Sequence, residues 1–102
     1  MPGPIQLQPG RQAHVDSMQR LAVGAGAVGL TVPNDKVIAA YLRNSGGPIY
    51  YTVDGTVPST SNGVEMVDGE SALLNLHECQ KFQAIQGAAA GTLTIIYYRI
   101  AP

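Results

Sequence analysis

Short runs of β-branched, aromatic and aliphatic residues recur along the chain, separated by Gly, Pro, Asn, Asp and Ser. That rhythm predicts short strands joined by turns. The clearest run is I-Y-Y-T-V at residues 49–53, made of types that fit a pleated surface. Asp54-Gly55 then supplies a tight turn, because Gly takes φ > 0 without steric cost and Asp tolerates it. Pro58 has no N–H and ends a ladder or holds it at an edge. Ser59 to Gly63 read as a polar loop bonded to its own backbone. Residues 92–100, T-L-T-I-I-Y-Y-R-I, alternate Leu93, Ile95 and Tyr97 against Thr92 and Thr94. Residues 37–44 mix strand and helix formers, but the Ser45-Gly46-Gly47-Pro48 turn before the next strand favours a hairpin. One face would carry Ile38, Ala40 and Leu42; the other Val37, Ala39, Tyr41 and Arg43. Further strands are expected at 20–23, 28–32, 64–67, 72–76 and 82–86, with one helical turn near 77–81. Phe82 and Ala84 should share a side.

Residues 1–19 differ from the rest. Pro2, Pro4, Pro9, Gly3 and Gly10 preclude a regular element, and four glutamines add polarity. An extended arm is expected there, with a short strand near Ile5 and Leu7. The remaining residues, 20–102, form the domain. The fold class is all-β: a single β-sandwich, immunoglobulin-like or jelly-roll-like, with an extended N-terminal arm.

Composition narrows the function classes. Hydrophobic residues make up 45% of the 102, enough for a modest core. Charged residues are only 13%, so either part of the surface is covered by a partner or the surface is rich in Ser, Thr, Asn and Gln. The net charge is −1 and the six cations are scattered, which argues against nucleic-acid binding. The single cysteine, Cys79, cannot form an intrachain disulfide and is expected to pack as a small hydrophobe. The opening M-P-G-P-I-Q has no basic or apolar region of a signal peptide, and no run is long enough to cross a bilayer.

Candidate chemistry is sparse. Gly24, Gly26 and Gly29 match G-x-G-x-x-G, but Pro33 stops any helix soon after and no βαβ context surrounds them. Two short strands around a small-residue turn explain them. His77-Glu78-Cys79 puts three reactive types side by side, yet neighbours in sequence do not converge on one point. A surface His and a buried Cys are expected. Asp54, Glu65, Asp68 and Glu70 lack the alternation of a calcium loop. No catalytic residue, metal or cofactor is expected. Tyr50–Tyr51 and Tyr97–Tyr98 should each place one ring inward and one outward. An outward ring could grip a sugar or a protein, or pack across strands.

The segment Y-Y-T-V-D-G-T-V-P-S-T-S-N-G, the later Phe82-Gln83-Ala84-Ile85 and the final Leu93 to Tyr98 strand resemble small virion structural proteins of tailed bacteriophages. The likeness spans residues 36–100. It implies a non-enzymatic β-sandwich that binds the capsid as a decoration or cement protein, or sits at the head–tail junction. Its partners would be the major capsid protein or other virion proteins, its state a homo-oligomer, and its place the virion assembled in a bacterial host, with no nucleic acid or membrane bound. Contacts are expected from the arm, through Ile5, Leu7 and Arg11, from Tyr50, Asp54, Thr56 and Pro58, and from Tyr98. Y-Y-T-x-D-G-T-x-P also resembles the immunoglobulin-like C-terminal module of chitobiase- and hexosaminidase-type enzymes. That likeness implies the alternative, a carbohydrate-binding or host-adhesion module using Tyr50, Tyr51 or Tyr98. The catalytic domain that accompanies such modules is missing, and Gly63-Val64-Glu65-Met66 stands where their Tyr-x-Gly-Pro would be.

Overall fold

The alternation of the final strand decides the architecture, because its inward side chains sit at the centre of the core. In the computed structural model, which describes residues 13–100, eight strands and one short helix follow one another. They are β1 (Ala13–Val23), β2 (Val28–Gly29), β3 (Val37–Gly46), β4 (Ile49–Thr52), β5 (Val64–Met66), β6 (Ser71–Asn75), α1 (Leu76–Lys81), β7 (Gln83–Gln86) and β8 (Gly91–Ile100). A long sheet has the order β1-β8-β3-β6 and a short sheet the order β2-β7-β4-β5. All pairings are antiparallel. The two sheets pack face to face as a sandwich, and this strand order is that of a jelly roll.

Leu93, Ile95 and Tyr97 from β8 are fully buried with Ala40 and Leu42 from β3, Ile49 from β4 and Ala84 from β7. Each large apolar side chain withdrawn from water in this way contributes roughly 1.5–3 kcal/mol. Phe82 and Ala84 are both buried, and Asp54-Gly55 and Asp68-Gly69 both turn the chain with glycine at positive φ. The tyrosine pairs also divide as expected. Tyr97 is in the core and Tyr51 packs against it, while Tyr50 and Tyr98 lie on the other side of their strands.

Four expectations change. The strand before the first turn begins at Ala13, so residues 13–19 belong to β1 and not to an arm. Their polar side chains hide the strand, but β8 needs a neighbour on this side, and the Tyr97 hydroxyl donates to Gln19 Oε1 at 2.6 Å. Second, the faces of β3 shift. A bulge at Ile38 breaks the alternation, so Val37 joins Ala40 and Leu42 in the core and Ile38 leaves it. Third, the strand expected at 28–32 ladders only over Val28–Gly29, although Leu30 and Val32 still pack on the core. Fourth, the helical turn begins one residue early. Asn75 accepts from the Glu78 N–H at 2.8 Å, and the Asn75 N–H donates to Glu78 Oε1 at 2.9 Å. This capping box starts α1 and drives Cys79 into the core.

One polar side chain ties the sheets together. Asn44 on β3 is completely buried; its Nδ2 donates to Gly47 O at 3.0 Å and to Met66 O on β5 at 2.9 Å. Its Oδ1 has no hydrogen-bond donor. A Cβ built on Gly91 would lie 2.7 Å from that oxygen, so only glycine fits beside it.

Candidate functional site

Residues paired across a sheet share a face, so the register of the long sheet sorts its outward side chains into rows. Met18, Ile96, Tyr41 and Leu73 form one row across all four strands. Val15, Tyr98, Ala39 and Asn75 form the next, and Arg20, Thr94, Arg43 and Ser71 flank the first row on its other side. The first two rows make an apolar, aromatic surface. Met18 is 64% exposed and Val15 58%. Tyr41, Leu73, Ile96 and Tyr98 are half-buried, yet they are not among the partly buried side chains that pack on the core. These three rows hold two arginines and no acid. Two tyrosines, a methionine and arginines are the residue types enriched at protein interfaces.

The outer face of the short sheet differs. Tyr50 pairs with Ile85 and Glu65 there, and its hydroxyl donates to Glu65 Oε2 at 3.3 Å. The Glu65 carboxylate beside it, more than burial, holds the Tyr50 hydroxyl above its ordinary pKa. The loop after β4 is bonded mainly to itself. Asp54 Oδ1 accepts from the Thr56 N–H at 3.1 Å and the Thr56 hydroxyl at 2.7 Å, and these bonds hold its carboxyl below the usual range. The Thr52 hydroxyl donates to Thr56 O at 2.6 Å, and Asn62 Nδ2 donates to Val57 O at 3.3 Å. Ser59 and Asn62 close the loop with a reciprocal backbone bridge. An open depression beside the loop is lined by Tyr51, Asp54, Asn62 and Val64, among others.

The expected contact residues therefore do not form one surface. Tyr98 lies on the long sheet and Tyr50 on the short one, while Asp54 and Thr56 are engaged in the loop. Pro58 is buried, so it shapes the loop and offers no contact of its own. Ile5, Leu7 and Arg11 lie outside the described residues. The sequence reading missed Met18, Tyr41, Leu73 and Ile96 as a group. Only the strand order brings them together, and no local signal carries that order.

Two buried titratable groups are held in their protonated forms. Burial, and then the Glu78 carboxylate, push the Cys79 thiol up to about 11, so at neutral pH it is a protonated thiol and a poor nucleophile. Burial raises the Tyr97 hydroxyl to about 12. His14 and His77 are both exposed. Among the described residues, no three of His, Cys, Asp and Glu gather as a metal site would require. Nor is any described helix long and apolar enough to cross a membrane. In comparisons with known proteins, the chain matches no family model, no curated protein and no solved structure.

Proposed function

We propose that this chain is a non-enzymatic structural protein of a tailed-phage particle, a decoration or cement protein that attaches to the capsid through the outer face of its long sheet. The observation that carries this reading is the apolar row Met18, Ile96, Tyr41 and Leu73, flanked by Arg20 and Arg43 and free of acid. Such a surface suits a broad, fairly flat protein partner better than a small molecule, which needs a concave pocket. The arginines favour a partner with carboxylates around an apolar patch. The jelly-roll order is compatible, since capsid domains use it, but lectins use it too and the fold alone does not decide. The likeness of residues 36–100 to small virion proteins supplies the particle.

The test is co-sedimentation with capsids assembled without this protein. Wild-type protein should pellet with them, and Ile96→Lys should not, while its melting curve stays close to wild type. Capsids that pellet without the wild-type protein would end the proposal. The carbohydrate reading draws on the open depression, which brings the Tyr51 ring near Asp54 and Asn62. The Asp54 and Asn62 side chains are already bonded within the loop, and the Tyr51 ring is stacked on Phe82 with centroids 5.4 Å apart. Glycan-array binding abolished by Tyr51→Ala would favour it.

A further inference from the structure

Sheet edges expose unpaired N–H and C=O groups, and proteins blunt them with very short strands, Lys, Pro or bulges. Two of the four edges here follow that practice: β2 has 2 residues and β5 has 3. The two edges of the long sheet do not, and β6, with 5 residues, is much the shorter of them. β1 has 11 residues, ends the long sheet and, among the described residues, pairs only with β8. Its single bulge, at Asp16, protects the first turn of the ladder only. From Ser17 to Val23 the register with β8 is unbroken, and this stretch holds no Pro, no Lys and one charge, Arg20.

We propose that this edge pairs antiparallel with the same edge of a second copy, about a two-fold axis beside Gln19. A symmetric pairing joins residues whose numbers have a constant sum. The sum must be even, because paired residues share a face of a continuous sheet. An axis at Arg20 sets two guanidiniums against each other. An axis at Met18 sets Arg20 against the bulge, where the ladder is broken and the Asp16 carboxylate is turned to Asn34 and Ser17. Axes further along either run into the bulge or shorten the ladder. At Gln19 every pair from Ser17 to Leu21 is compatible, and the bulge meets only the small Ala22 beyond them. Met18 lies opposite Arg20 of the second copy, whose aliphatic stem covers the exposed thioether. Gln19 lies opposite Gln19; its Oε1 holds the Tyr97 hydroxyl, leaving its N–H₂ to donate across the axis. Ser17 lies opposite Leu21. Avoiding Arg20 against Arg20 and Arg20 against the bulge thus selects one register for a second copy, whatever the outer face binds.

Light scattering on the full chain across a range of concentrations should give a mass rising to twice 10.7 kDa. The register is tested at Met18, which is 64% exposed and accepts a charge without unfolding. Met18→Glu faces Arg20 of the second copy, and Met18→Lys repels it, at two symmetric places. With both variants melting as the wild type does, the glutamate variant should dimerise about tenfold or more tightly than the lysine variant at low salt. A wild-type protein that stays monomeric at every concentration would overturn the proposal. Equal weakening by both variants would place like charges together, as an axis at Met18 does, and would overturn the Gln19 register.

Discussion

The long sheet contributes strands of 11, 10, 10 and 5 residues, the short sheet strands of 2, 4, 4 and 3. Both bury their inner faces in the same core. Their outer faces differ in kind. On the long sheet an apolar row runs across four strands, flanked on one side by Arg20, Thr94, Arg43 and Ser71. On the short sheet the polar groups are bonded to one another: Tyr50 to Glu65, Asp54 to Thr56, Thr52 to the Thr56 carbonyl. A surface whose polar groups are already satisfied gains little from a partner, whereas an apolar surface gains by being covered. The difference is the ground on which we propose docking on the long sheet, while the bonds of the loop after β4 hold that loop to itself.

The sharpest way to test the two sides of the long sheet is to shorten neighbouring isoleucines. Ile95 points into the core and Ile96 away from it. Ile95→Ala should cost about 3–4 kcal/mol in urea unfolding, and Ile96→Ala under about 1 kcal/mol. Equal costs would mean that the outer row is packed like a core. The seam between the sheets comes next. A Cβ on Gly91 would meet Asn44 Oδ1 and Ile49 Cγ2 at 2.7 Å and Gly47 O at 2.9 Å. Gly91→Ala should therefore cost about 2–3 kcal/mol, read from the same urea midpoint.

Alkaline pH gives a smaller effect centred on the long sheet's interior. The Cys79 thiol ionises near 9.0 when unfolded but only at about 11 when folded. Stability is fully present below pH 9 and falls as pH rises toward 11, because proton release then favours unfolding. The slope is at most about 1.4 kcal/mol per pH unit for this group, and less where water reaches it. Tyr97, raised from 10.0 to about 12, extends the decline upward. In chemical denaturation between pH 9 and 10, the stability of Cys79→Ala should decline less steeply than that of the wild type. The smallest effect belongs to the loop: Asp54→Ala should speed amide exchange at Thr56 without moving the global melt, since it removes the bonds that order residues 54–56.

Most strands were legible in the sequence because their alternation is local. Leu93, Ile95 and Tyr97 announce an inward face, and Asp54-Gly55 and Asp68-Gly69 announce turns. What the pattern could not carry was the effect of one extra residue. The bulges at Asp16 and Ile38 put Val15 on the same face as Met18 and Val37 on the same face as Ala40, a spacing of three that no strict alternation contains. The helix start was misplaced by one residue, because its signal is the reciprocal bonding of Asn75 and Glu78 and not an apolar period. The outer apolar row was not visible, because Met18, Tyr41, Leu73 and Ile96 come from four strands whose adjacency follows the 1-8-3-6 order and not the chain.

Cys79 is the chain's single thiol, and it is sealed in the core by a helix of six residues. It serves as a built-in stopwatch. A thiol reagent can reach it only when the end of the sandwich opens, so the alkylation rate of the native protein counts those openings directly. Comparing that rate with and without a bound partner would tell how far clamping one face quiets the whole fold, with no label added to the surface under study.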